Sequence, residues 1–347
     1  MPTIERLNEL QALPLERKIF KTQARIIEWY LKFKGQVYVS FSGGKDSTVL
    51  LHIARRCFPD IEGIFCDTGL EYPEIRQFAK SFDNITQIRP KMRFDEVIKK
   101  HGYPFISKEV AERVYNARKC LAGGGGDTYS TITSSQASYP GRVQQMLGIG
   151  GFFSKRFDFS KWKPLLDMDF NISHLCCNEM KKKPLNHLEK KAIVATMTEE
   201  SMLRRTAWLQ AGCNAFKKGI SKPMSFWTEQ DVLTYIRRYD LPIASVYGEV
   251  VTRAADGNLY GSPLCDCGGK LCTTGCHRTG CIFCGFGAHR DTRFRDLKRT
   301  HPRQYEYCMD GGAYDSDGMW KPAGGGLGMA HCIDQINKKF GKDFIMY

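Results

Sequence analysis

The chain has 347 residues, of which 42% are hydrophobic and 25% charged. That is the balance of a soluble globular protein with chain enough for one large or two ordinary domains, and no apolar run reaches membrane-spanning length. Lys and Arg outnumber Asp and Glu by 51 to 37, a formal charge of +14, which suits a polyanionic partner such as DNA, RNA or a nucleotide; the excess is spread over many segments, so a basic surface without specific meaning stands equally beside it. Met1 to Leu15 carries charges throughout and no leader-like apolar stretch, so the expected location is cytoplasmic.

Leu15 to Phe33 spaces its apolar residues for one helix face, after Pro14 at a helix start. Val37 to Phe41 is β-branched and aromatic and reads as a buried strand; Thr48 to Arg56 reads as a helix. Between them stands Ser42-Gly43-Gly44-Lys45-Asp46-Ser47. A strand, a glycine turn and a helix start present unpaired backbone N–H groups to an anion. Gly43 and Gly44 allow close approach, Ser42 and Ser47 add hydroxyls, and Lys45 adds a cation. The spacing is not that of the Walker loop.

Strand–helix alternation continues. Ile61 to Cys66 reads as a second strand ending at Asp67-Thr68-Gly69, with a helix over Tyr72 to Ser81. Ile85 to Ile88 is a third strand and Phe94 to Lys100 a helix. This predicts an α/β fold with a doubly wound, mostly parallel, Rossmann-like sheet. Ligands of such sheets lie beyond the carboxyl ends of the strands, where Ser42–Ser47 and Asp67–Gly69 both fall. Regularity fails from Gly123 to Lys155, read as an insert. Ile193 to Met197 predicts another strand, Glu199 to Arg205 a helix, and Trp227 to Ile236 a further helix with Thr228 as N-cap and Asp231 in the capping box. The expected organisation is a helical segment over 1–34, a nucleotide-binding domain over 35–260 with the Gly/Ser-rich insert near 121–160, and a basic, cysteine-rich metal-binding region over 261–347.

Of fourteen cysteines, six fall between Cys265 and Cys284, and two adjoin at Cys176-Cys177. Cys281-x-x-Cys284 places two thiolates on one turn, with Cys276 near enough to join; thiolate ligands suit a [4Fe–4S] cluster or zinc. A local zinc set of Cys272, Cys276, Cys281 and Cys284 competes with this, leaving Cys265 and Cys267 unassigned.

Ser42–Ser47 resembles the PP-loop of the ATP pyrophosphatases and sulfonucleotide reductases. Phe65 to Glu74, His174 to Leu185 with its Cys-Cys and Lys-Pro-Leu, Glu199-Glu200-Ser201 followed by Arg204, and the Pro, Trp-Thr, Asp-Val, Leu-Pro and Tyr positions from Pro223 to Tyr247 are similar to the PAPS-reductase-like branch of that superfamily. The tail, Lys338 to Tyr347, lacks the cysteine that reductases of the family carry there, and the setting of Cys281-x-x-Cys284 looks more like relatives tied to sulfur transfer, including DNA phosphorothioation enzymes. The resemblance implies a site for ATP with Mg²⁺ built from Ser40, Ser42, Gly43, Gly44, Lys45, Asp46, Ser47, Asp67, Thr68, Gly69 and Arg204. In it Lys45 would offset leaving-group charge, Asp46 and Asp67 would bind Mg²⁺, and Arg204 would clamp phosphate. It also implies that Cys176 or Cys177 joins Cys276, Cys281 and Cys284 around a [4Fe–4S] cluster. The expected activity is adenylation of an acceptor on DNA or tRNA with pyrophosphate release, for sulfur transfer, with a sulfur-donor partner such as a cysteine desulfurase and no membrane. Two alternatives stand beside it: an adenylyl sulfate reductase using a non-tail thiol, and a non-catalytic nucleotide sensor with structural zinc that binds nucleic acid.

Overall fold

A computed structural model describes residues 2–122, 141–148, 158–253, 259–260 and 269–347. Most of the expected insert lies outside the described residues, as do Cys265 and Cys267; within the insert, Gly141–Leu147 is a helix. The chain forms two compact units, each from two segments: Met1–Pro90 with Lys183–Gly280, and Lys91–Lys182 with Cys281–Tyr347. These boundaries differ from 34 and 260, and one of them divides the cysteine-rich stretch.

The first unit holds helices α1 (Ile4–Gln11) and α2 (Leu15–Lys32), then strand β1 (Val37–Ser40), α3 (Lys45–Cys57), β2 (Gly63–Cys66), α4 (Pro73–Lys80) and β3 (Ile85–Ile88). Its second segment adds β4 (Lys191–Val194), α5 (Met202–Ala211), β5 (Asn214–Ala215), β6 (Ile220–Ser221) and α6 (Glu229–Arg238). The strands make one sheet in the order β3-β2-β1-β4-β6-β5. All neighbours are parallel except β5, which runs antiparallel to β6 at the edge. Val37, Tyr38 and Val39 are buried because β1 is central, with β2 on one side and β4 on the other. Ile26, Trp29, Val39, Leu50, Ile53, Phe65, Ile193, Trp227 and Leu233 share one core, so α2, α3 and α6 pack through it.

Local sequence explains the element ends. Thr228 Oγ1 accepts from the Asp231 N–H at 3.3 Å while Asp231 Oδ2 accepts from the Thr228 N–H at 2.7 Å, the expected capping box. Lys18 reaches the same carboxylate at 2.6 Å, tying α2 to α6. The strand expected to run to Met197 stops at Val194: the Met197 N–H donates to Glu200 Oε1 at 3.0 Å instead of to a ladder partner. The helix expected from Glu199 begins as a 3-10 turn, Thr198–Glu200, and α5 starts after Ser201, whose Oγ caps the Arg204 N–H at 3.3 Å.

In the second unit, helices Phe94–His101, Lys108–Ala122, Arg293–Thr300, Pro302–Met309 and Met329–Phe340 surround a core that includes Tyr103, Phe105, Phe170, Phe294 and Leu327. Phe105–Ile106 pairs in parallel with Gly285–Phe286. The glycine-broken stretch after 310 contains a hairpin, Ala313–Tyr314 against Trp320–Lys321. Cys308 and Cys332 are wholly buried members of this core.

Candidate nucleotide site and thiol group

The carboxyl ends of β1, β2 and β4 carry the site of the first unit. Ser40 closes β1, and the chain turns through Gly43, whose φ is +71°. A Cβ at Gly43 would lie 2.8 Å from Ile75 Cγ2 and 3.1 Å from the Ile75 carbonyl, so the turn is pressed against α4 and only glycine fits. Gly44 is the N-cap of α3, with the N–H groups of residues 45–47 at the open end of the helix. Ser47 Oγ accepts from the Ser42 N–H at 3.1 Å and lies 3.0 Å from Ser42 Oγ, which fixes the loop from within.

Lys45 is buried, 5% exposed, so its terminal nitrogen needs a hydrogen-bond acceptor. It has two: Glu229 Oε1 and the His277 carbonyl, each at 2.6 Å. Glu229 begins α6 and also faces His277 Nδ1 at 3.2 Å. The 276–280 segment therefore lies over the loop. There Thr279 Oγ1 and the Tyr247 hydroxyl are 2.5 Å apart, and Tyr247 stands 3.2 Å from where a Gly44 Cβ would be. Burial, against the Thr279 hydrogen bond, pushes the Tyr247 phenol up to about 12.

Among the described residues, the buried Oδ1 of Asp46 finds no hydrogen-bond partner. Burial raises its pKa, opposed by the nearby charges of Lys45, Arg278 and Arg204. Asp67 is buried at the end of β2 and otherwise engaged. Arg76 Nε donates to its Oδ1 at 2.8 Å and Arg76 Nη2 to its Oδ2 at 3.0 Å; Arg89 stands 3.5 Å from Oδ2. Burial alone would raise this carboxyl, but the Arg76 hydrogen bonds and charge bring it below the usual aspartate value. Thr68 Oγ1 donates to Glu71 at 2.8 Å, and Gly69, at φ +74°, faces open space. Arg204 is ion-paired with Glu200, to whose other oxygen Arg278 approaches within 4.0 Å. Burial and the Arg278 charge lower the pKa of Arg204.

Every expected nucleotide-site residue thus lies in the first unit at the carboxyl edge of the sheet. As oriented, Asp67 holds two arginines and Arg204 holds Glu200, while Asp46 keeps an unpartnered oxygen. Glu229, Thr279, Arg278 and Arg76 join the site without having been expected there, as does Tyr247, which the family-like run ending there marks without a role.

The candidate metal ligands divide between the units. Cys276 belongs to the first, where its N–H donates to the Val246 carbonyl at 2.8 Å. Cys176, Cys177, Cys281 and Cys284 belong to the second. The Sγ atoms of Cys176 and Cys177 are 4.0 Å apart. The Cys176 hydrogen bond, against burial and with help from Lys108 and Lys181, lowers Cys177 to about 5. Cys176 moves up through that hydrogen bond and burial, with smaller contributions from Cys284 and Cys281; Cys284 is raised by burial. Cys176 and Cys177 are thus adjacent thiols, with the pKa of Cys177 lowered and that of Cys176 raised. That donor chemistry fits a sulfur-bound metal. Among the described residues, no three His, Cys, Asp or Glu side chains stand grouped to hold a metal ion.

Residues 36–120 match the model of the phosphoadenosine phosphosulfate reductase domain. An uncharacterised protein of Methanocaldococcus jannaschii is 37% identical over 98 residues, 26% of this chain and 24% of that protein. Adenosine 5'-phosphosulfate reductase of Bacillus cereus is 32% identical over 84 residues, 22% of this chain and 36% of the reductase. The chain thus spans about a quarter to a third of the length of these curated relatives. The solved phosphoadenylyl-sulfate reductase of Candida auris aligns with TM-score 0.34 and 15% identity over 71% of this chain and 91% of that one. The likeness to the PAPS reductase family read from the motifs is found again over residues 36–120. That span holds the PP-loop, Asp67 and Lys108, but neither Arg204 nor any of the five candidate metal-binding cysteines. Among the described residues no helix is long and apolar enough to cross a membrane.

Proposed function

We propose that this chain is a PP-loop enzyme that binds ATP and transfers its adenylyl group to an acceptor, releasing pyrophosphate. The observation that carries the reading is the cradle at the end of β1: a left-handed Gly43, the open N-terminus of α3 and a buried Lys45. Such a cradle binds the β- and γ-phosphates, the part of ATP that leaves. An acceptor oxygen attacks the α-phosphorus, the bond to the β-phosphate oxygen breaks, and pyrophosphate departs with its charge offset by Lys45 and the loop N–H groups. Bound Mg²⁺ would further neutralise the phosphates; Asp46, with its unpartnered buried oxygen, is the residue that fits it.

The acceptor we propose is a nucleic acid, DNA or tRNA, in which a sulfur nucleophile then displaces AMP. The excess of 51 basic over 37 acidic residues supports this. A cysteine-desulfurase type of partner would supply the sulfur. Cys176, Cys177, Cys281 and Cys284 would hold an iron–sulfur cluster, or zinc. The test is product analysis with ATP and candidate acceptors. Pyrophosphate and AMP are expected; orthophosphate alone would overturn the proposal.

A second reading rests on Cys177. A thiolate beside a second thiol suits reduction of an adenylyl sulfate, with a dithiol of the thioredoxin type as electron donor. Sulfite release from adenylyl sulfate, abolished by Cys177→Ser, would establish it.

A further inference from the structure

The segment after Gly275 does to Lys45 what a phosphate would do. The His277 carbonyl and Glu229 Oε1 each accept from Lys45 Nζ at 2.6 Å. Two acceptor oxygens at that distance fill the places of two phosphate oxygens. Lys45 is buried beneath them, so a phosphate reaches Nζ only when one of the two gives way.

The two differ in how readily they move. Glu229 is the first residue of α6, a helix capped by Thr228 and packed into the core. His277 lies on a short exposed stretch, residues 276–280. The upstream end is pinned. The Gly275 N–H donates to the Tyr247 carbonyl and the Cys276 N–H to the Val246 carbonyl, each at 2.8 Å, and a Cβ on Gly275 would stand 2.4 Å from the Val246 oxygen. The downstream end is loose: around Gly280, no atom of the described residues beyond its chain neighbours lies within 4 Å of a Cβ position. Between the ends the hold is by side chains. His277 Nδ1 is 3.2 Å from Glu229 Oε1, Arg278 is 4.0 Å from Glu200 Oε2, and Thr279 Oγ1 is 2.5 Å from the Tyr247 hydroxyl. The His277 and Arg278 side chains are 71% and 58% exposed. An exposed stretch pinned at one end and held by a few polar contacts opens at low cost. Its Thr279 Oγ1 lies 3.6 Å from where a Gly44 Cβ would be, so the same stretch covers the loop as well as Lys45.

We propose that residues 276–280 form a strap that takes the place of a phosphate at Lys45 and is lifted by the incoming nucleotide, an inference that rests on the ATP site proposed above. Strap and phosphate compete for one terminal nitrogen. The apparent affinity for ATP is then the intrinsic affinity reduced by the fraction of molecules whose strap is raised.

Limited trypsin digestion of the full chain reads the strap, through the rate of cleavage after Arg278 followed by peptide mass. Calorimetry reads nucleotide binding. The probe is the α,β-methylene analogue of ATP with Mg²⁺, which cannot lose pyrophosphate. At saturation it should speed cleavage after Arg278 severalfold. Thr279→Val lacks the hydroxyl that meets Tyr247. It should speed the same cleavage without nucleotide and raise affinity for the analogue about fivefold. Thr279→Ser, which keeps the hydroxyl, should retain the slow cleavage. A hydrogen bond that only shaped the site would instead lower affinity when lost. Analogue bound with cleavage unchanged or slowed, or Thr279→Val binding no more tightly than the parent, would overturn the strap and leave the nucleotide site standing. No binding in either protein would remove both.

Discussion

The Lys45 ammonium is 2.6 Å from Glu229 Oε1, a contact that joins residues 184 apart in the chain. Glu229 neutralises the cation that a nucleotide phosphate would also seek, so carboxylate and phosphate compete for it. Replacing Glu229 by Gln keeps the shape and removes the competing charge. Calorimetric titration of Glu229→Gln with ATP should show affinity raised roughly fivefold, as for a partly exposed pair worth about 1 kcal/mol. Lys45→Met should lose at least about tenfold in affinity. An unchanged constant in Lys45→Met would place the phosphates elsewhere.

Two glycines of the site have similar backbones and different surroundings. Gly43→Ala puts a methyl 2.8 Å from Ile75 Cγ2, whereas at Gly69 no atom of the described residues lies within 4 Å. Both pay the left-handed penalty of about 1 kcal/mol; only Gly43→Ala adds a clash, for roughly 2–4 kcal/mol in all. Urea unfolding should rank them in that order, and Gly43→Ala should also lose nucleotide binding.

Asp67 makes stability depend on pH. Its folded pKa lies below the ordinary value, so its pairing with Arg76 stabilises the fold fully above that ordinary value. The contribution fades as pH falls through the folded pKa, because the protonated carboxyl no longer holds the guanidinium. Asp67→Asn should therefore cost about 1–2 kcal/mol at pH 7, since the arginine it leaves is partly exposed. The gap from the parent should narrow below about pH 4. A gap constant from pH 7 to pH 3 would refute the ion-pair account.

The thiol group yields a ligand test. Protein purified without oxygen should carry iron or zinc, and Cys177→Ser or Cys284→Ser should lower the content severalfold. Metal analysis with the visible spectrum reads this, and the same measurement on Cys276→Ser decides whether that cysteine, expected from the sequence, belongs to the set.

Much of this was legible in the sequence because it is local. β3 is found at Ile85–Ile88 as read, and the Thr228 cap follows from residues three apart. The turn after β1 follows from two glycines between a β-branched run and a helix. What escaped is long-range. Glu229 in sequence is an acidic first-turn residue, which suits any helix N-terminus; nothing local aims it at Lys45. Asp67 reads as a free carboxylate because Arg76 meets it only once α4 has folded back. The C-terminal helix Met329–Phe340 hid behind a glycine-rich approach that reads as irregular.

The central pairing of β1 with β4 carries a consequence for synthesis. Val39 pairs with Ile193, so the middle of the sheet stays open until the ribosome has delivered residues that follow a whole stretch of the other unit. Until then the nascent chain shows an unpaired edge of Val37, Tyr38 and Val39, an adhesive strip that a holding chaperone could shield.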